Sequence, residues 1–169
     1  MPEDVLSLAA ENPAVAAELA RVRPDDLAGR RVIIGVLAFG VVATVAYWMI
    51  WFGVDRDILA SAHTESYYAF ENSFPLADAW MAASGFAAIL ALLRRRASAL
   101  LWCIAAGTSS IYLGLMDVLF DLQNGIYRSA DTGAVTTEVA INVLTIALGP
   151  VVIGWAWRRR RELVKLDGF

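Results

Sequence analysis

One cysteine and one histidine in 169 residues leave this chain without several common chemistries. Cys103 alone cannot close an internal disulfide, and no second thiol or imidazole stands near it at a zinc-type spacing. Neither Gly-x-Ser-x-Gly nor His-Glu-x-x-His occurs, and Ser109 and Ser110 have no base close by in sequence. No nucleophilic or zinc-hydrolase motif is therefore present. Charge is scarce as well: 18% of residues are charged, against about a quarter in ordinary soluble domains. The balance is −3, and no basic face offers itself to a phosphate backbone, so a nucleic-acid partner is not expected. The opening Met1-Pro2-Glu3-Asp4 lacks a positive n-region, and a removable signal peptide is not expected either.

What is abundant is apolar sequence, at 59% of residues. It falls into four runs, about 32–54, 74–93, 97–120 and 135–157. Each is close to the roughly 20 residues that cross a hydrocarbon core. Period-two alternation is absent, and Ala, Leu and Gly dominate, which favours helices over a β-barrel. The fold class expected is an all-α integral membrane four-helix bundle. Arginine sets its orientation. Arg21, Arg23, Arg30 and Arg31 precede the first run, Arg94–Arg96 separate the second from the third, and Arg158–Arg161 follow the fourth. The other two loops hold one arginine each, Arg56 and Arg128. Short basic loops stay cytoplasmic, so both termini are expected there, in the plasma (inner) membrane. Residues 1–31 read as a cytoplasmic segment with a short helix over Ala14–Val22, started by Asn12-Pro13, and 158–169 as a basic cytoplasmic tail.

The chemistry-bearing residues are those a membrane should exclude. Asp78 lies one turn inside the second run, Asp117 one turn inside the end of the third with Asp121 at i+4, and Glu138 opens the fourth with Asn142 at i+4. With the orientation above, all lie toward the non-cytoplasmic side. A mid-membrane acid costs roughly 2.5–3.5 kcal/mol on insertion scales, so such groups face a bundle interior or a wet cavity. The stripes leading away from them are small and polar: Gly114, Ser110, Gly107 and Cys103; Thr145 and Gly149; Ala82 and Gly85. These let helices approach closely. Gly40, Thr44, Tyr47 and Trp51 make one stripe on the first run.

These residues predict a ligand site of Asp78, Asp117, Asp121, Glu138 and Asn142, with ring faces from Trp51, Trp80 and Tyr112. His63, Glu65 and Glu71 are candidate contributors from the loop between the first two runs, where Ile58–Phe70 reads as a surface helix. Carboxylates and amide oxygens suit hard cations, and aromatic faces suit an organic cation. The expected function is binding or transport of a cation or cationic, amphiphilic small molecule. A divalent cation, if one is held, falls to Asp117, Asp121 and Glu138. Two alternatives remain open at this point: a lipid- or isoprenoid-modifying enzyme using carboxylate acid–base chemistry, and an accessory subunit or assembly factor of a larger membrane complex. The expected partners are the lipid bilayer, a small-molecule or ion ligand, and a second copy or a larger membrane complex.

Overall fold

Glycine in a left-handed conformation starts the first long helix. Gly29 has φ +86°, and a Cβ there would stand 3.0 Å from the Trp155 ring nitrogen. That nitrogen donates to the Ala28 carbonyl at 2.9 Å, tying the start of the first helix to the end of the last. The computed structural model describes residues 27–129 and 131–168; the short helix expected over Ala14–Val22 lies outside the described residues. Helix α1 spans Arg30–Gly53, and a single 3-10 turn follows at Arg56–Ile58. Helix α2 spans Glu65–Glu71, α3 Pro75–Leu93, α4 Ala99–Asn124, α5 Thr132–Arg158 and α6 Arg160–Val164.

Local chemistry sets the boundaries. Thr64 caps α2, its hydroxyl accepting from the Tyr67 amide at 3.2 Å. Pro75 occupies the first turn of α3, where its missing N–H costs nothing. Gly125, at φ +70°, ends α4. Asp131 caps α5, its carboxylate accepting from the Gly133 and Ala134 amides at 3.0 and 3.1 Å. The last two caps change the expected boundaries. Helix α4 runs four residues past 120 and α5 begins three before 135, so Asp121 and Glu138 lie inside helices rather than at their ends. The surface helix expected over Ile58–Phe70 is shorter, because the chain before Thr64 turns away to meet α5.

The result is an all-α fold with four long apolar helices, α1, α3, α4 and α5, each long and apolar enough to cross a membrane. They pack in sequence order, α1 on α3, α3 on α4 and α4 on α5, while α1 meets α5 only sparsely. The α4–α5 seam is the tightest. A Cβ on Gly107 would lie 2.9 Å from the Gly149 carbonyl oxygen, and one on Gly149 would lie 2.5 Å from that of Gly107. Ser110 adds a hydrogen bond from its hydroxyl to the Thr145 carbonyl across the same seam.

Polarity is distributed the opposite way to a water-soluble bundle. Val42, Met49, Phe86, Leu115 and Val143 face outward, while Ser84, Ser110, Asp121, Glu138 and Asn142 are buried. Outward apolar side chains with inward small and polar ones are the arrangement lipid selects.

Candidate functional site

The loose α1–α5 seam leaves space in the bundle, and the acids line its upper part. A pocket of about 370 Å³ opens at the arginine-poor end, where α1 finishes and α5 begins. Four carboxylates from four helices line it: Glu71 of α2, Asp78 of α3, Asp117 of α4 and Glu138 of α5. Tyr47, Tyr67, Thr44 and Thr145 add to the polar wall, and Ala43, Leu59 and Met81 are among its apolar residues.

Three of the four acids are anchored. The Tyr47 hydroxyl donates to Glu71 at 2.9 Å. The Trp48 ring nitrogen donates to Asp78, also at 2.9 Å. Ser61, from the loop ahead of α2, donates to Glu138. That bond brings the loop across the bundle to α5. Asp117 differs: among the described residues it makes no hydrogen bond and no ion pair, only through-space interactions with the other acids.

Aromatic packing holds the roof. Tyr67 is 2% exposed and packs on Phe120 of α4 at 6.1 Å between ring centroids. Phe70 stacks on Phe120 at 3.8 Å. The Trp51 ring nitrogen donates to the Asn72 side-chain oxygen at 3.0 Å, fixing the chain just after α2 to the end of α1. Trp51 is therefore buried beside the pocket without lining it.

A second polar set lies behind Glu138. The Asn142 amide donates to Asp121 at 2.8 Å and to the Tyr127 hydroxyl at 2.9 Å. Asp121 also stands close enough to Glu138 for the two acids to interact. Tyr127 lies in the connection between α4 and α5. Burial and then the Asp121 carboxylate push its phenol up from 10 to about 12. Because the folded-state value is raised, the stabilisation it carries is complete below pH 10 and fades as pH climbs through about 12. The phenolate absorbance difference between wild type and Tyr127→Phe is expected to develop near that upper value. Asp121→Asn should bring it down; an unshifted titration would remove Asp121 as a contributor.

The structure thus brings Asp78, Asp117 and Glu138 to one pocket and adds Glu71, with Asp121 and Asn142 directly behind. Trp80 and Tyr112 stand elsewhere. They line a separate shallow groove between α3 and α4, and the Trp80 ring leans toward Trp102 at 6.4 Å. His63 is exposed, with its Nδ1 2.9 Å from the Tyr68 hydroxyl and 3.8 Å from Asp57, away from the pocket lining. Glu65 is exposed in the first turn of α2. Tyr47 and Tyr67 are pocket residues that sequence depth alone did not select; Tyr67 and Glu71 share a helix face at i+4, the available signal. Among the described residues, no group of three or more His, Cys, Asp or Glu side chains is arranged to hold a metal ion. No family model, no curated protein and no solved structure matches this chain.

Proposed function

We propose that this chain is a multi-pass membrane protein that binds a cation or cationic, amphiphilic small molecule in the carboxylate-lined pocket. The membrane assignment is supported by four helices of sufficient length and apolarity and by the outward apolar side chains. The arginine clusters at 30–31, 94–96 and 158–161 all fall at the end opposite the pocket. By the positive-inside rule that end is cytoplasmic, and the pocket faces the other side of the plasma (inner) membrane.

One observation carries the ligand reading. Asp117 lines the pocket and has no hydrogen-bonding partner among the described residues, whereas its three neighbours are held by Tyr47, Trp48 and Ser61. An acid left unpaired in a partly enclosed space is free to take a positively charged partner, which stabilises its ionised form. The anchored acids define the field around it and need not move. Binding is favoured over transport, since the space below the pocket is lined by apolar side chains with Thr44, Ser110 and Thr145 as its polar members. A charged solute gains no onward route there.

The test is equilibrium binding of tetramethylammonium, calcium and magnesium to purified protein in lipid nanodiscs. Asp117→Asn is expected to weaken the organic cation about tenfold, or ~1.4 kcal/mol. A divalent cation, if it is the occupant, should show the same loss. Equal affinity of wild type and variant for every cation would overturn the reading. Ligand recovered chemically altered would favour a lipid-modifying enzyme instead.

A further inference from the structure

Directly below the carboxylate pocket lies a second chamber of about 250 Å³. The two are neighbours: Ala43, Thr44, Met81, Ile141 and Thr145 line both. The lower chamber reaches down α1 past Gly40 to Leu37, across Gly85 of α3 and Gly107 of α4, and up to Leu148 of α5. Two of its three polar side chains are already engaged. The Thr44 hydroxyl donates to the Gly40 carbonyl at 2.9 Å, and Ser110 donates to Thr145. Among the described residues, nothing charged lines it.

Gly40 leaves part of this wall without a side chain. At Gly40 an added Cβ would meet only the Leu148 side chain, at 3.7 Å. The seam between α1 and α5 is also its doorway, because these two helices pack only sparsely. Phe39 and Leu144, both exposed at the outer surface, line the chamber as well. That surface is the one the bilayer would cover, so the chamber opens sideways toward lipid rather than toward water.

We infer that the two chambers are one site, built for an amphiphile with a single basic head and an unbranched or compact apolar body. The head sits among Glu71, Asp78, Asp117 and Glu138, and the body lies along the lower chamber. The molecule enters from the bilayer between α1 and α5. This rests on the cation-binding reading and specifies its ligand class. Charge complementarity selects the head, since acids line one end alone. The lower chamber selects the body, because a small hydrated cation would leave it unfilled. Drug-sized ligands occupy pockets of about 300–1,000 Å³ lined mostly by apolar side chains with a few placed polar groups. The upper chamber alone meets the volume, and the lower one extends its apolar wall beyond reach of the acids. A molecule already dissolved in the bilayer gains little from moving its tail between two apolar surroundings. The head therefore supplies the selectivity and the chamber supplies the shape.

The experiment uses decyltrimethylammonium carrying a photoactivatable diazirine at the end of its tail, added to the full chain in nanodiscs. Cross-linked positions are then mapped by mass spectrometry. Labelling is expected on the lower-chamber wall, at Leu37–Val41, Gly85 and Leu148, and to fall at least about tenfold in Ala43→Leu, which narrows the passage between chambers. Gly40→Leu is a second block, placed where an added side chain meets only Leu148; thermal unfolding of both variants checks that they remain folded. Labelling confined to the upper chamber, spread evenly over lipid-facing residues such as Val42 and Met49, or absent from folded wild type would overturn the inference. The parent reading fails separately, if labelling of the lower wall is unchanged in Asp117→Asn.

Discussion

A methyl group added at Gly149 is expected to destabilise the bundle by about 3 kcal/mol, the upper end of what overpacking usually costs. The reason is which atoms it meets. A Cβ at Gly149 would stand 2.4 Å from Ile111 Cγ1 and 2.5 Å from the Gly107 carbonyl oxygen. The first is a side chain and can rotate. The second is helix backbone, and relief there requires α4 and α5 to separate. Gly107 has the reciprocal problem, its Cβ lying 2.6 Å from Ile153 Cγ1, so the two glycines form one contact. Gly149→Ala combined with Ile111→Ala should therefore recover only part of the loss. The control is Gly154→Ala on the same helix. Nothing lies within 4 Å of a Cβ there, and alanine's helix propensity makes that change neutral or favourable by up to about 1 kcal/mol. Thermal unfolding of the variants in one detergent gives the comparison. Matching midpoints for Gly149→Ala and Gly154→Ala would mean that the close approach of α4 and α5 does not hold the fold together.

The same seam explains what could be read from the residues and what could not. Four helices follow from run length, and the i+3/i+4 spacing of Gly107, Ser110 and Gly114 already marks the face on which α4 packs. Helix ends were harder. The apolar run stops at 120, yet α4 continues to Asn124 because Asp121 finds Asn142 and Tyr127 there. That pairing exists only once α5 is alongside. Depth along each helix is legible in the sequence, but azimuth decides which side chains share the pocket. Trp80 shares the depth of Asp78, yet two residues on is about 200° round a helix, so one faces away when the other faces in. Tyr112 and Asp117 are separated by a similar error of side. In the sequence Glu71 is one loop acid beside Glu65. Its position in the pocket depends on α2 folding back beneath Tyr47, a long-range contact that local pattern does not encode. The separation of tasks among the acids is also invisible in sequence, since their hydrogen-bond partners come from α1 and from the loop ahead of α2.

That separation predicts opposite behaviour for two neighbouring polar residues. Asn142→Leu preserves side-chain size and removes the donors that Asp121 and Tyr127 use. Asp121 is 1% exposed, so water cannot replace the lost amide. A buried polar group stripped of its partner costs about 1–3 kcal/mol, more when it is charged. Hydrogen bonds between membrane helices average only about 0.6 kcal/mol in double-mutant cycles, because separated helices find other partners. Here the larger figure applies: the deletion takes the amide donor from a buried carboxylate, and the helix that would have to move is pinned by Gly149. A loss of about 2 kcal/mol in unfolding stability is expected. Asp121→Leu added to Asn142→Leu should return part of it, because removing both partners leaves only Tyr127 unsatisfied. Asp117→Asn, by contrast, removes no hydrogen bond among the described residues and relieves repulsion from Glu71, Glu138, Asp78 and Asp121. It is expected to leave the unfolding midpoint unchanged or raised while binding weakens. Groups that hold a bundle together lower its stability when deleted; a group kept for a ligand lowers affinity and spares the fold. If Asn142→Leu melts with wild type while Asp117→Asn unfolds early, the two roles have been assigned to the wrong residues.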